Sequence, residues 1–271
     1  MFTILGSTGF IGNKLALALK RGGHKVYAPR RGDPQMFVRE LGDVIYSIGV
    51  TADFRSRPFE TVEAHVCLLR QLLQSGNFRS LLYLSSTRVY GRTANAEEGQ
   101  VLGVDPAEPE DLYNLSKLMG ESLCLSTGLP TVRVVRLSNV YGDDFRSQNF
   151  LSEILRHALG EGRVHLRTAL SSAKDYVGIA DVVELLPKVA MGGNARLYNV
   201  ASGRNVTNKE LIDRLSRVVP LTIKVEERAP TVVFPQISIN RVRKEFGFAP
   251  RDVLADLPQL VADFMKAFSA K

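Results

Sequence analysis

The chain opens with Phe2-Thr3-Ile4-Leu5-Gly6-Ser7-Thr8-Gly9-Phe10-Ile11-Gly12, and this stretch decides the fold. An apolar strand runs directly into three glycines spaced three residues apart, and an amphipathic helix follows over residues 10–21. Glycines permit the tight turn between strand and helix, and they let a diphosphate touch main-chain N–H groups at the positive end of the helix. The pattern predicts a dinucleotide-binding loop; a glycine-rich turn that only allows close packing is the alternative.

Composition sets limits on the class of protein. The chain has 271 residues, 45% of them hydrophobic and 23% charged, so it can bury a sizeable core. No apolar run approaches the roughly 20 residues that span a bilayer, and the N-terminus enters a strand without a basic leader, which predicts a cytoplasmic protein with no membrane partner. Cys67 and Cys124 lie in helical apolar patterns, so we expect buried thiols and neither a disulfide nor a metal site.

A net charge of +7 is compatible with a nucleic-acid partner. Arg and Lys are scattered along the chain, and no aromatic-plus-basic RNA motif is present. We therefore expect anionic small molecules as ligands and no nucleic-acid partner, because a nucleotide cofactor and a phosphorylated substrate together require several cations.

Strand-like runs alternate with helical patterns through the first half of the chain, which predicts an α/β fold with a Rossmann-type doubly wound parallel sheet. The runs lie at 2–5, 25–28, 43–48, 80–84 and 131–137, and the helical patterns at 10–21, 34–41, 59–75 and 111–128. Only about a dozen residues separate Arg30 from Asp43, near the minimum for a parallel crossover. The sheet is therefore expected to be shortened between strands two and four, with an open adenine side.

After residue 145 the pattern becomes mixed. Helical patterns lie near 148–160, 179–190, 207–218 and 252–268, and strand-like runs at 163–167, 175–177, 197–200 and 222–226. With no repeat and no long linker, a second domain would be interleaved with the first. We predict a dinucleotide-binding domain over 1–145, to which 172–202 returns, and a smaller, mainly substrate-binding domain over 146–271.

Two groups of residues carry the predicted chemistry. Tyr113 and Lys117 are four residues apart and share one helix face, and a nearby positive charge would favour the phenolate of a tyrosine acting as acid and base. A half-buried tyrosine capped by a lysine is the structural alternative. Ser85 and Ser86 end a strand at the edge where open parallel sheets bind ligands, so one hydroxyl could bind a substrate oxygen while the other serves the turn.

Taken together, these motifs resemble the extended short-chain dehydrogenase/reductase family, whose members are nucleotide-sugar epimerases, dehydratases and reductases. Gly6, Gly9 and Gly12 match its cofactor loop, Ser86 precedes a Val-Tyr-Gly motif, and Tyr113 with Lys117 matches its Tyr-x-x-x-Lys pair. Segments 136–142, 175–182 and 239–250 also resemble family segments. The resemblance implies that Tyr113 is the acid/base, that Lys117 binds the nicotinamide ribose, and that Ser86 binds the substrate oxygen.

The resemblance also implies substrate contacts and one exclusion. Asn139 and Thr87 are substrate candidates, and Arg228 follows the strand at 222–226, where relatives place an arginine against the diphosphate. Thr87-Arg88 stands where dehydrating relatives carry Asp-Glu, which disfavours elimination of water. His65 stands where relatives usually have Asn.

Arg30 and Arg31 follow the second strand, and an arginine fork suits the extra phosphate of NADP, so we predict NADP with NAD as second choice. The predicted cofactor residues are Gly6, Thr8, Gly9, Phe10, Ile11, Gly12, Arg30, Arg31, Asp33 and Lys117. The expected activity is hydride transfer to or from a nucleotide-linked sugar, as an epimerase or a ketoreductase. The alternative is a non-catalytic NADP-binding sensor or scaffold. By the same resemblance, helices 59–75 and 111–128 are expected to pair in a homodimer.

Overall fold

The structure is a computed structural model that describes residues 1–269 of the chain. Its strands are β1 Phe2–Leu5, β2 Val26–Tyr27, β3 Asp43–Tyr46, β4 Ser80–Ser86, β5 Val132–Leu137, β6 Asn139–Tyr141, β7 Arg163–Leu166, β8 Ala173–Gly178, β9 Leu197–Val200, β10 Asn205–Thr207 and β11 Thr222–Val225. Its helices are α1 Phe10–Arg21, α2 Pro58–Val62, α3 Leu68–Ser75, α4 Asp111–Ser126, α5 Phe150–Glu161, α6 Ile179–Gly192, α7 Asn208–Ser216, α8 Asn240–Phe246 and α9 Val253–Ser269.

Six parallel strands form the central sheet in the order β2-β1-β3-β4-β5-β9. Strands β3, β4 and β5 are buried along almost their whole length, which explains their nearly continuous apolar sequences. Helices α1 and α6 cover one face of the sheet, and α3 and α4 cover the other. The Rossmann-type doubly wound sheet predicted from the sequence is confirmed.

The connection between β2 and β3 is as short as predicted, but the predicted helix at 34–41 is wrong. The structure has a single 3₁₀ turn, Pro34–Phe37. Asp33 caps this turn by accepting a hydrogen bond from the Gln35 backbone N–H at 3.0 Å. The segment is too short to place a full helix and still cross back to β3, which lies on the other side of β1.

A second region is built on the chain that follows β5. Strands β6, β8 and β10 form one small sheet, and β7 pairs with β11. Helices α5, α7 and α9 share an apolar core with these strands. Strand β9 lies in the central sheet, whereas β8 pairs outside it. The division of the chain into a dinucleotide-binding domain and a substrate-binding domain at residue 145 stays a prediction.

Helix α2 continues through one π-helical turn, Glu63–Cys67, into α3. A π turn inserts one extra residue into a helix and is frequent at functional sites. Here it lies against α4. No helix among the described residues is long and apolar enough to cross a membrane.

Candidate active site

The glycine loop after β1 is closed tightly on itself. Gly6 has a φ of +91°, a conformation that disfavours any side chain, and its carbonyl accepts the Gly9 N–H at 3.0 Å. A Cβ on Gly12 would collide with the Gly6 carbonyl oxygen and lie 2.7 Å from the Ser47 hydroxyl oxygen. Close packing therefore needs Gly6 and Gly12 whether or not a ligand binds.

The same loop leaves the start of α1 open to a ligand. Gly9 is the N-cap residue of α1 and has no side chain that could accept a hydrogen bond. The N–H groups of Phe10, Ile11 and Gly12 at the start of the helix are therefore not capped by the side chain of the N-cap residue. Thr8 and Gly9 are exposed beside them. These N–H groups lie at the N-terminus of a helix, next to glycine positions that have no room for a Cβ. This arrangement fits the diphosphate of a dinucleotide.

The end of β2 carries more cations than sequence reasoning identified. Arg30 and Arg31 are both exposed, and Arg39 lies with its guanidinium carbon 4.0 Å from the centre of the Tyr27 ring. The Asp33 carboxylate accepts from the Tyr27 hydroxyl at 2.8 Å and caps the following turn, so it is already engaged. No sequence pattern indicates the position of Arg39, because it is set by the irregular segment between β2 and β3.

Ser86, Tyr113 and Lys117 come together at the carboxyl end of β4. Tyr113 is 6% exposed, and the neighbouring Ser86 side chain opposes the rise that burial causes in the pKa of its hydroxyl. The Lys117 ammonium donates to the Leu84 carbonyl at 2.9 Å and lies 5.9 Å from the centre of the Tyr113 ring. Thr87 is buried at the start of the 3₁₀ turn that follows Ser86.

This group adjoins the glycine loop through β3. A Cβ on Gly49, just beyond β3, would lie 3.4 Å from the Lys117 ammonium. Ser47 donates its hydroxyl to the Leu5 carbonyl at 2.7 Å, immediately before the loop. The carboxyl ends of β1, β3 and β4 therefore bring the loop and the Tyr113 group to one edge of the sheet, where open α/β sheets bind ligands.

The sequence predicts that a protonated Lys117 favours the phenolate of Tyr113, but the pKa shifts of the two residues in the structure indicate otherwise. Burial lowers the pKa of Lys117 to about 7, against a smaller opposing effect of Glu121. Burial also raises the pKa of Tyr113, and the neighbouring Ser86 side chain and the positive charge of Arg88 oppose that rise. In the ligand-free protein Tyr113 is a neutral phenol, and Arg88 is the cation that acts on it.

Ser85 has a structural role. Its hydroxyl donates to the buried Glu121 carboxylate at 2.5 Å, and Glu121 also accepts from Arg136 at 2.6 Å. Sequence reasoning missed Glu121, although it lies four residues after Lys117 and so continues the face that carries Tyr113 and Lys117. This network leaves Ser86 as the serine that faces Tyr113.

His65 is a buried histidine of the site with a fixed tautomer. The Ser116 hydroxyl donates to the Tyr113 carbonyl at 2.9 Å, so it must accept from His65 Nδ1, which lies 2.8 Å away. His65 Nε2 then accepts from the Val50 N–H at 3.2 Å. Burial, helped by the charge of Lys117, lowers the pKa of His65 to about 2, so the ring is neutral and joins α4 to the segment after β3.

The remaining predicted substrate residues lie outside this group. Asn139 is exposed on β6 and donates its side-chain amide to the Asp175 carbonyl at 2.8 Å. Arg228 is exposed in the turn after β11 with a φ of +56°, and among residues 1–269 no hydrogen bond or ion pair joins it to the Tyr113 group. The described residues include no cluster of three potential metal ligands, and Cys67 and Cys124 are not bonded to each other.

A family model described as the NAD dependent epimerase/dehydratase family matches residues 2–201 of the chain. The chain is 28% identical over 273 residues to dTDP-glucose 4,6-dehydratase of Streptomyces griseus, covering 94% of this chain and 82% of that protein. It is 29% identical over 250 residues to GDP-6-deoxy-D-mannose reductase of Pseudomonas aeruginosa, covering 82% and 81%. With dTDP-4-dehydro-6-deoxyglucose reductase of Escherichia coli the identity is 26% over 212 residues, and the match spans 64% of that protein's length.

Solved structures share the fold over nearly the whole chain. MoeE5 in complex with UDP-glucose and NAD superposes with a TM-score of 0.85 and 19% identity, covering 98% of this chain and 99% of that one. RMD from Pseudomonas aeruginosa complexed with NADPH gives a TM-score of 0.79 and 24% identity, covering 98% and 100%. At these identities the likeness shows the fold alone.

Proposed function

Because the chain belongs to the NAD dependent epimerase/dehydratase family, a family of extended short-chain dehydrogenases/reductases, we propose that it is an NAD(P)-dependent epimerase or ketoreductase acting on a nucleotide-linked sugar. One observation carries the proposal: Ser86, Tyr113 and the buried Lys117 lie together at the same sheet edge as the open glycine loop. Relatives are named as reductases, dehydratases and epimerases of nucleotide sugars, which supports this substrate class.

Each residue has a definite task in this proposal. The bound nicotinamide cofactor supplies or accepts a hydride. Tyr113 moves the proton of the sugar hydroxyl, accepting it when the alcohol is oxidised and donating it when the ketone is reduced. Ser86 bonds the same oxygen and keeps it beside Tyr113. Lys117 binds the cofactor ribose, and Thr87 and Asn139 contact the sugar.

The carboxylates of the site argue against elimination of water. Glu110, Asp111 and Glu121, which lie on α4 or directly before it, are all ion-paired to arginines. Elimination needs an acid and a base in addition to Tyr113. The residue after Thr87 is Arg88, which is a cation and cannot serve as that base.

The cofactor is proposed to be NADP. Arg30 and Arg31 are exposed at the end of β2, and Arg39 adds a third cation to that edge. Asp33, the nearby carboxylate, is held by Tyr27 and by its own turn, which makes it a poor acceptor for ribose hydroxyls. An arginine fork binds a phosphate strongly, so these contacts support NADP over NAD.

A homodimer through 59–75 and 111–128 is part of the proposal. Phe59 on α2 is 85% exposed, and Val62 on α2 and Met119 on α4 are also exposed. Helices α2 and α4 also pack together. Exposed apolar side chains on two helices that pack together support pairing with a second copy through these helices.

The test is to incubate the purified protein with NADPH and 4-keto nucleotide sugars, and with NADP⁺ and the corresponding alcohols. A reductase consumes NADPH in proportion to product, whereas an epimerase forms the isomer without net cofactor consumption. Tyr113→Phe, which deletes only the reacting hydroxyl, is the matched control. If NADPH binds but neither wild type nor variant turns over any substrate, the protein is a sensor or scaffold and the proposed activity is wrong.

A further inference from the structure

Residues 51–57, between β3 and α2, form a mostly exposed segment with one buried side chain. Phe54 is 0% exposed, whereas its neighbours Asp53 and Arg55 are exposed. The centre of the Phe54 ring lies 5.5 Å from that of the Tyr113 ring, and the two ring planes make an angle of 50°. A surface segment therefore places an aromatic side chain on the proposed acid/base, which is itself only 6% exposed.

Two arginines pack on the Phe54 ring and share one carboxylate. The guanidinium carbons of Arg55 and Arg88 lie 4.6 Å and 5.0 Å from the centre of that ring. Arg55 donates two hydrogen bonds to Glu110, and Arg88 donates to the same carboxylate at 2.7 Å. Glu110 directly precedes α4, the helix that carries Tyr113. The Arg55–Glu110 ion pair therefore joins the segment to the helix of the proposed acid/base.

The segment is anchored at both ends and turns back on itself in between. At one end the Val50 N–H donates to His65 at 3.2 Å, and at the other end α2 begins at Pro58. Between these ends the Arg57 N–H donates to the Phe54 carbonyl at 3.3 Å, within the segment itself. A short segment of this kind can move as a unit without disturbing the sheet or the helices beside it.

The contacts that hold the segment on Tyr113 are ones that a ligand can replace. The Arg55 and Glu110 side chains are 54% and 43% exposed, and exposed ion pairs contribute little to stability. Burial of Phe54 is therefore the main contact that keeps the segment in place. A sugar that exchanges a proton with Tyr113 must lie within hydrogen-bond distance of its hydroxyl, and so it competes with the side chains that bury Tyr113.

We propose that residues 51–57 are a lid on the proposed active site. Phe54 covers Tyr113 in the free protein, and the nucleotide-linked sugar binds after the Arg55–Glu110 pair opens and the ring leaves Tyr113. The inference rests on the proposed function, because it concerns access to the same site. The apparent affinity for the sugar is then the intrinsic affinity multiplied by the fraction of molecules with an open lid. NADP⁺ binds with its diphosphate on the exposed glycine loop, so its affinity depends little on the lid.

Amide hydrogen exchange and calorimetry on Arg55→Gln test the lid. This variant removes the Arg55–Glu110 pair and keeps the Arg88–Glu110 pair. Without ligands, the amides of residues 51–57 should exchange about threefold faster than in wild type, while those of α4 are unchanged. With NADP⁺ present, the affinity for a nucleotide sugar that binds wild type, selected from UDP-glucose, GDP-mannose and dTDP-glucose, should rise about threefold to tenfold. The affinity for NADP⁺ itself should stay the same.

Arg57→Gln is the matched control. It removes the same charge from the same segment, but Arg57 pairs with Asp53 and Glu60 and not with the α4 side of the site. Both the exchange of residues 51–57 and the affinity for the sugar should therefore remain as in wild type.

A fluorescent probe gives an independent measurement. The chain contains no tryptophan, so Phe54→Trp adds a single indole to the lid. Its emission should be that of a buried indole in the free protein, and it should move to longer wavelength when the sugar binds or when Arg55→Gln is added. Phe78→Trp, at a half-buried position in the core beside α3, should not respond to the sugar.

The outcomes separate the lid from the proposed function. If sugars bind but Arg55→Gln matches wild type in exchange or in sugar affinity, the lid is wrong and the proposed function stands. Weaker sugar binding by Arg55→Gln also overturns the lid, because it assigns Arg55 to the phosphates of the substrate. If no nucleotide sugar binds a protein that binds NADP⁺, the proposed function fails, and the role of the lid in substrate access fails with it.

Discussion

Lys117→Met should stabilise the ligand-free protein at neutral pH, and the gain should disappear as the pH rises. Lys117 has an ordinary pKa of 10.5 in the unfolded chain and about 7 in the folded protein. Below about pH 7 the lysine is protonated in both states, so the full cost of burying its charge, about 4–5 kcal/mol, is present. Between pH 7 and 10.5 the unfolded chain binds the proton and the folded one does not, so the stability of wild type rises with pH.

Methionine keeps the length of the side chain and does not titrate. Relative to Lys117→Met, the free energy of unfolding of wild type should therefore increase by about 2–3 kcal/mol between pH 6 and pH 9. Urea denaturation of both proteins without cofactor at several pH values measures this difference. Lys188→Met, at an exposed lysine paired with Glu184, is the control, for which the difference should stay within about 0.5 kcal/mol. Parallel pH profiles for wild type and Lys117→Met would refute the reasoning.

Three further changes test separate parts of the site. Gly12→Ala places a Cβ against the Gly6 carbonyl and should lower stability by about 1–3 kcal/mol and weaken NADPH binding, seen by denaturation and fluorescence titration; an unchanged NADPH affinity would remove the loop from the cofactor site. Arg30→Asp should shift preference from NADPH towards NADH; tighter NADH binding by wild type contradicts the NADP assignment. His65→Phe leaves the buried Val50 N–H without its acceptor and removes the ring donor to the Ser116 hydroxyl, so it should lower the free energy of unfolding by about 1–3 kcal/mol, whereas a loss below about 0.5 kcal/mol would contradict the hydrogen bonds described.

The central sheet could be predicted from the sequence because its strands are buried on both faces. Such strands have continuous apolar sequences between turn residues, and β1 and β9 have the predicted bounds. Strands β6 and β10 were missed because each has three residues, and only their pairing with β8 makes them strands. The helix predicted at 34–41 failed because periodicity carries no information on the distance that a crossover must span.

The candidate site was predicted where spacing along one element fixes the neighbours. Tyr113 and Lys117 share a helix face, and Glu121 could have been found by the same rule. The contacts of His65 could not be predicted, because they depend on the π turn that carries it. The effect of Lys117 on Tyr113 was also beyond the sequence, since burial changes the pKa of both groups.

Tyr113→Phe tests the central claim most directly. The measurement is the rate of nicotinamide absorbance change, or of isomer formation, with a nucleotide sugar that wild type converts, alongside NADPH affinity for both proteins. The account predicts a loss of turnover of about two to four orders of magnitude with NADPH affinity unchanged, because a positioned acid/base is removed and the glycine loop is untouched. Turnover near that of wild type would contradict the assignment of Tyr113 as the group that moves the proton.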